Sequence, residues 1–436
     1  MIDSYLDLAG GIEGHWLYAL WMFLAFDFTR YVLTDMILVT YHLLWWRRSP
    51  RLARAKARMW REYPLVSVIV PGHNEGQHYF RLLQSLKAQS YRNLEVIIVD
   101  DGSLDDTPTV GRSLCRQGLI DVFIRCEQRG GKASAANLAL RCCRGKYVVH
   151  LDADLHLHPK AIENLIWPFY LGKIGAVGGD VRVRNVWDSV ATLFQTLEYM
   201  KTISTGRLAN SHLGILRIVS GACGAFPREV LQRLGGWDVG PGLDGDLVLR
   251  IRKLGLRIFH QADAVCYTHV PTSWRGLFRQ RFRWDRSLIR FRMRKHVDLL
   301  LPWMAHFRWS NFFAVADNVV FNLALDVNWF IYLNLTLLFH PQTLTVILPM
   351  VLALYGAANV IEAVFALLLY WESGTLRKSE LPLLLISPLM PFYQGYYMRT
   401  VRTYAYVMEI LFRASYFDRW NPWKVSRVSR RLEAEI

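Results

Sequence analysis

Three acidic clusters stand out in the chain: Asp100-Asp101, Asp152-Ala153-Asp154 and Asp244-Gly245-Asp246. Carboxylates gathered this closely repel one another unless a cation or hydrogen-bond donors stand between them. Hard oxygen ligands such as Asp154 suit Mg²⁺ or Mn²⁺. A divalent metal neutralises a diphosphate and makes it a leaving group, and a further carboxylate can take the proton of an attacking hydroxyl. The chemistry these residues suit is transfer from a nucleotide diphosphate sugar. Asp154 faces the metal, and Asp100 or Asp101 accepts hydrogen bonds from base and ribose. Asp244, on a Gly-flanked loop, is the candidate base, and Asp246 is a second candidate for that role. Two carboxylates at a helix N-terminus also serve as plain caps.

These clusters need a scaffold that brings them together. Leu65–Pro71, Leu94–Val99 and Lys146–Leu151 are short apolar runs, and each stops at a polar cluster. The first stops at Gly72-His73-Asn74-Glu75, the second at Asp100-Asp101, the third at Asp152. Helix-like segments separate them, which predicts a βαβαβ pattern with a parallel sheet. Ligands of such sheets lie beyond the carboxyl ends of the strands, so Asn74 and Glu75 join the candidate nucleotide-sugar site. Gly130-Gly131-Lys132 leads into an Ala-rich helix, Ala133–Cys143. A glycine turn at a helix N-terminus approaches phosphate closely, and Lys132 adds a point charge. Further expectations are a helix over 105–117 capped by Asp105, a strand over 122–125, a helix over 159–171 and a strand over 175–183. Residues 186–203 are amphipathic and read equally as a membrane-surface helix or a packed one. Gly221-Ala222-Cys223-Gly224-Ala225 is a small, turned run that lets backbone approach a ligand or a strand. His156, His158 and His269 are weak candidates for assisting the metal.

The chain has 436 residues, 52% of them hydrophobic and 13% aromatic, more than a soluble domain needs. The excess sits in residues 16–46 and 311–412. The net charge of +16 would suit nucleic acid, but many cations border apolar spans, which fits an anionic bilayer surface; no nucleic-acid partner is expected. The six cysteines lack CxxC or zinc spacing and read as reduced cytosolic thiols. Asp3, Asp7 and Glu13 replace a basic leader, so no cleavable signal is expected. Residues 16–46 predict one tilted span, and the basic run 47–61 after it predicts a cytoplasmic end. Residues 273–296 combine nine Arg or Lys with aromatic side chains and predict an interface helix. Residues 311–339 and 343–371 are each long enough to cross a bilayer. Residues 381–412, interrupted by Pro382, Pro388 and Pro391, read as a third span, a re-entrant piece or an interfacial helix. The basic tail Lys424–Arg431 favours a cytoplasmic C-terminus.

Four motifs in order, Val99-Asp100-Asp101-Gly102-Ser103, Asp152-Ala153-Asp154, Asp244-Gly245-Asp246 and Gln280-Arg281-Phe282-Arg283-Trp284, resemble the processive family 2 glycosyltransferases of membranes. That group includes the cellulose, hyaluronan, chitooligosaccharide and poly-N-acetylglucosamine synthases. The last motif is the specific Q-x-x-R-W signature, and the resemblance covers about residues 60–300. It implies an α/β GT-A fold, a Rossmann-like mixed sheet in a cytoplasmic domain flanked by transmembrane and amphipathic interface helices. It also implies a UDP-sugar donor, Mg²⁺ or Mn²⁺, and inversion at the anomeric carbon. By position, Asp100 and Asp101 hold the nucleotide, Asp152 contacts the donor and Asp154 the metal. Asp244 is the base, Gln280, Arg283 and Trp284 bind diphosphate and acceptor end, and Cys223-Gly224 lies beside the acceptor. The family usually has a second acidic residue before the base, where this chain has Leu243.

The expected organisation is a membrane segment and basic linker at 1–61, a GT-A domain at 62–270, interface helices at 271–310, a membrane region at 311–412 and a basic tail at 413–436. No C-terminal cyclic-dinucleotide-binding domain is expected. The expected partners are a UDP-sugar, a glycan or glycolipid acceptor, the bilayer of a bacterial inner membrane crossed several times, and a second copy or a small membrane protein. A single transfer to a lipid acceptor is the alternative within enzymes. A non-catalytic nucleotide-sensing scaffold is the alternative outside them, and the intact aspartate clusters argue against it.

Overall fold

The computed structural model describes residues 17, 19–238 and 242–417. Asp3, Asp7, Glu13 and the basic tail Lys424–Arg431 therefore lie outside the described residues. The centre is one eight-stranded sheet: β1 (Val66–Gly72), β2 (Leu94–Asp101), β3 (Val122–Cys126), β4 (Tyr147–Leu151), β5 (His156–Leu157), β6 (Ile174–Val183), β7 (Cys223–Pro227) and β8 (Arg257–Thr268). Their spatial order is β3-β2-β1-β4-β7-β6-β8-β5. The β3-β2-β1-β4 half is parallel, as the βαβαβ pattern predicts. Beyond it β7 runs antiparallel to both β4 and β6, while β6 and β8 are parallel.

The runs Val66–Gly72, Leu94–Asp101 and Tyr147–Leu151 become strands because they are β-branched and buried on both faces. Period-2 alternation sends Val68, Val70, Ile98 and Val149 to one face and Ile69, Ile97, Val99 and Val148 to the other. The first face packs on the helices Pro50–Glu62 and Gly76–Lys87. The second packs on Lys132–Cys142, whose Ala133, Ala136 and Ala139 allow a close approach, and on Leu243–Lys253. Two helix layers thus hold the strands from either side, and the polar strand ends emerge together at one edge.

The expectation for residues 221–225 changes. Instead of a turn alone, Cys223–Pro227 is a full strand inserted mid-sheet. Its small residues serve this close fit: a Cβ on neighbouring Gly179 would fall 2.6 Å from Cys223 Sγ. Residues 186–203 resolve to the packed reading. Ser189 caps the helix Val190–Tyr199 in a capping box with Thr192, and Thr192, Gln195, Leu197 and Glu198 are buried.

Two helical runs, Trp309–Phe339 and Pro341–Glu372, are long and apolar enough to cross a bilayer among the described residues, and only 17% and 28% of their most apolar stretches are buried within the chain. Residues 23–46 form a continuous helical run carrying Asp27, Arg30 and Asp35. Residues 383–412 are helical throughout, with tighter turns around Pro388 and a wider one over 393–398 before the helix Arg399–Phe412. That helix packs on Trp274–Ser287, which Ser273 caps through the Gly276 N–H at 3.1 Å. The basic run becomes the helix Pro50–Glu62, with Leu52, Ala55 and Met59 inward and Arg51, Arg54, Lys56, Arg58 and Arg61 outward.

Candidate active site

The polar ends of β1, β2 and β4 meet at one edge, in register Gly72 with Asp100. Asn74 takes a left-handed backbone, φ 60°. Its N–H donates to Ser103 Oγ at 2.8 Å and its Oδ1 accepts the Leu104 N–H at 3.0 Å. The β1 and β2 loops are thereby laced together, and His73 Nδ1 adds a bond to the Asp101 carbonyl at 2.8 Å.

Asp100 and Asp101 are both buried. Asp101 accepts the N–H groups of Gly130 and Gly131 at 2.7 and 2.8 Å, so it holds the glycine turn that opens the helix Lys132–Cys142. Asp100 Oδ1 accepts the Ser103 N–H at 3.1 Å, while its Oδ2 has no hydrogen-bond partner and lies 4.0 Å from Arg125 Nε. An orphaned buried acceptor at this position is poised for a donor on a ligand.

Lys132, Asp152 and Asp244 converge on Gly221. Lys132 Nζ pairs with Asp152 Oδ1 and donates to the Gly221 carbonyl at 3.2 Å. The Asp152 N–H donates to the Ala222 carbonyl at 3.0 Å. Asp244, in the first turn of the helix Leu243–Lys253, accepts the Gly221 N–H. Its carboxylate lies so close that a Cβ on Gly221 would fall 2.2 Å from an oxygen. Burial, with Asp152 adding and Lys132 opposing, pushes the Asp244 carboxyl up to about 6. A carboxylate in that range exchanges protons near neutral pH, which suits a general base. On the far side, Thr268 donates its hydroxyl to Asp154 Oδ2 at 3.0 Å. Sequence reasoning missed Thr268; its place at the end of β8, beside Asp154, is the only signal for it.

The acidic cleft fits a hard divalent cation. Burial and Asp152 raise the Asp154 carboxyl, and burial with Asp154 and Asp152 pushes Glu75 up to about 7. Negative charge is thus crowded where a cation would relieve it. No group of three or more His, Cys, Asp or Glu ligands is assembled among the described residues. His156 and His158 feel Arg184, Arg182 and Lys160 instead of the aspartates of the cleft, whereas His269 feels Asp154.

Asp246 is placed differently from the sequence expectation. It is wholly buried, pairs with Arg250 at 2.8 Å, Lys295 at 2.7 Å and His296 at 2.8 Å, and so faces away from Gly221. Burial works against its charge, but these three partners hold it well below the usual carboxylate range. A proton acceptor needs a higher affinity and an open side, so Asp246 is a structural anchor. Cys223 and Gly224 also change role. Both are buried strand residues pairing with Leu151 and His150, and Cys223 Sγ faces Gly179 inside the sheet.

The helix Trp274–Ser287 presents the last motif. Trp284 is 40% exposed, and the buried Arg281 guanidinium lies 4.5 Å over its ring. Arg281 is fixed by Glu198 at 2.8 Å, which also accepts from Tyr393 at 2.7 Å. Gln280 Oε1 is buried without a hydrogen-bond partner, and Arg283 is half-buried. An exposed aromatic ring on the same helix as a buried amide oxygen without a partner suits a sugar ring.

The model of the family described as "Glycosyltransferase like family 2" matches residues 64–287. The chain is 28% identical over 222 residues to the poly-beta-1,6-N-acetyl-D-glucosamine synthase of Staphylococcus aureus strain COL, covering 50% of this chain and 53% of that relative. The same-named protein of Staphylococcus epidermidis is 29% identical over 222 residues, with the same coverage. The chain thus spans about half the length of the curated relatives it matches. Among solved structures, a mannosyltransferase from Pyrobaculum calidifontis in complex with GDP-Man and Mn²⁺ aligns with a TM-score of 0.52 and 23% identity. The alignment covers 87% of this chain and 99% of that one, a likeness of fold.

Proposed function

The chain belongs to the glycosyltransferase family 2 group and is a glycosyltransferase, and from that premise we propose that it adds glucose or N-acetylglucosamine units from a UDP-sugar to a growing β-linked glycan. The observation that carries this reading is the convergence of Lys132, Asp152 and Asp244 on Gly221, with Asp154 across the same cleft.

Asp100 Oδ2 accepts from the base or ribose, and the Gly130-Gly131 turn with Lys132 receives the diphosphate. Asp154 would hold Mg²⁺ or Mn²⁺, which would supply charge neutralisation to the departing diphosphate. Asp152, tied to Lys132, orients the donor sugar, and Asn74 and Glu75 close the nucleotide side. Trp284 stacks on the acceptor end, and Gln280 and Arg283 bind the diphosphate. Asp244 takes the proton of the acceptor hydroxyl, which attacks the anomeric carbon from the face opposite the departing UDP and inverts it.

In this reading residues 62–270 are the catalytic domain on the cytoplasmic face of a bacterial inner membrane. Residues 1–61 and 311–412 anchor it, and 271–310 lie at the interface. The long runs Trp309–Phe339 and Pro341–Glu372 support the membrane placement. A second reading, single transfer to a lipid acceptor, is favoured by their small number among the described residues, which is few to enclose a channel; a second copy or a small membrane partner would supply the rest. The test is nucleotide release by the full chain in nanodiscs, with Mg²⁺ or Mn²⁺ and a panel of UDP-glucose, UDP-N-acetylglucosamine and GDP-mannose. UDP release with a product ladder is expected. One glycolipid product transfers the conclusion to the second reading, and no turnover with any donor contradicts both.

A further inference from the structure

Gly221 lies near the end of a ten-residue loop, 213–222, which has other attachments besides Asp244 and Lys132. Arg217 Nη1 donates to Asp317 Oδ2 at 2.8 Å. Asp317 sits in Trp309–Val319, the first part of the long apolar run. Its other oxygen accepts from Arg30 Nε on the N-terminal helical run, and Arg30 Nη2 donates to Asn210 Oδ1 at 2.7 Å. Asp317 is 9% exposed, so the pairing is shielded. A second tie runs parallel. Arg252, on the helix that carries Asp244, donates to the Gly214 and Leu216 carbonyls at 2.9 and 3.0 Å, and to Asn311 Oδ1 and the Ser310 carbonyl at 3.0 and 2.7 Å. The loop is therefore clamped to the first turns of the apolar run at one end and to Lys132, Asp152 and Asp244 at the other. It also forms part of the wall of a cavity of about 360 Å³, lined among others by Arg30, Asn210, Arg217 and Ile218.

We propose that Asp317 is a positioning residue: by fixing Arg217, it sets the 213–222 loop so that the Gly221 amide and carbonyl hold Asp244 and Lys132 in reacting position. The role rests on the glycosyltransfer reading, with Asp244 as base. The loop touches the donor side through Lys132 and Asp152, whereas Asp100, Asp101, Asn74 and Glu75 lie on β1, β2 and the loops that follow them, so loss of Asp317 acts on turnover more than on donor affinity. Glutamate keeps the charge and reach, and asparagine keeps the shape without the charge.

The experiment uses the full chain in nanodiscs with two readouts. In Asp317→Asn, peptides covering 213–224 and 243–248 are expected to exchange amide hydrogens at least about fivefold faster, with 94–101 unchanged. With the donor that the wild type turns over, kcat is expected to fall about 10-fold or more, KM for donor to change by a clearly smaller factor, and Asp317→Glu to recover part of the loss. Arg217→Gln, which breaks the same tie from the loop side, is expected to show the same split, and it decides the matter if Asp317→Asn does not fold. Faster exchange confined to the neighbourhoods of Arg30 and Asp317, or a folded variant with wild-type kcat, overturns the proposal. A wild type that turns over no nucleotide sugar counts against the glycosyltransfer reading instead, and the exchange pattern still decides the positioning.

Discussion

At the scale of single residues, Asp244 and Asp246 show how two carboxylates on one helix separate into different tasks. A helix turns about 100° per residue, so positions two apart point nearly opposite ways. Asp244 looks to Gly221 and Asp246 to Arg250, Lys295 and His296. Their spacing held this difference, but which face met the cleft depended on packing that no local pattern carries. Two outcomes follow from the environments. Asp244 is raised to about 6, so below that pH it is protonated and cannot accept a proton. The rate of UDP release is expected to rise with pH through about 6 and to level above it, read from a kcat profile between pH 4.5 and 8. A flat acid side would contradict Asp244 as base. Asp246→Asn removes the charge that holds Arg250, Lys295 and His296 together. Thermal unfolding is expected to show a clearly lowered midpoint, and an unchanged midpoint would remove the anchor role.

At the scale of elements, the parallel half of the sheet was legible because Val, Ile and Leu runs end abruptly in polar clusters, and Asp100, Asp101, Asp152 and Asp154 all fall at such ends. Strand Cys223–Pro227 was not, since Cys-Gly-Ala-Phe-Pro has little β-branched character and becomes a strand only through its neighbours β4 and β6. Fitting that strand brings the Gly221 turn onto Asp244. Gly221→Ala places a methyl where the carboxylate lies; kcat is expected to fall about 10²-fold, in the range that removing a positioned base costs, with UDP affinity kept. Equal kcat in a folded variant would show that the carboxylate works elsewhere. On the helix Trp274–Ser287, the Q-x-x-R-W residues were legible as a motif, but the support of Trp284 by Arg281 and Glu198 was not, because Glu198 is 83 residues away in sequence. Trp284→Ala is expected to raise acceptor KM several-fold more than donor KM, and an equal rise in both would count against stacking on the acceptor.

At the scale of the whole molecule, the apolar helices are tied to one another and to the loops and helices around the family 2 sheet through shielded ion pairs. Arg217 and Arg30 meet Asp317, Arg399 and Arg402 meet Asp326, and Lys201 meets Glu362. Charged side chains inside apolar helices face partners or cavities, which makes sense of the acidic residues that the sequence placed within its candidate spans. The role of residues 381–412 was less legible: they are apolar and helical over 383–412, but Pro388, Pro391, Arg399 and Arg402 leave a span, a re-entrant piece and an interfacial helix alike in sequence. The most direct measurement of the central claim compares wild type with Asp244→Asn, each as full chain in nanodiscs, for UDP binding by calorimetry and for UDP release from the preferred donor. The account predicts equal UDP affinity and a loss of release of about 10²-fold or more; full activity in Asp244→Asn would contradict it.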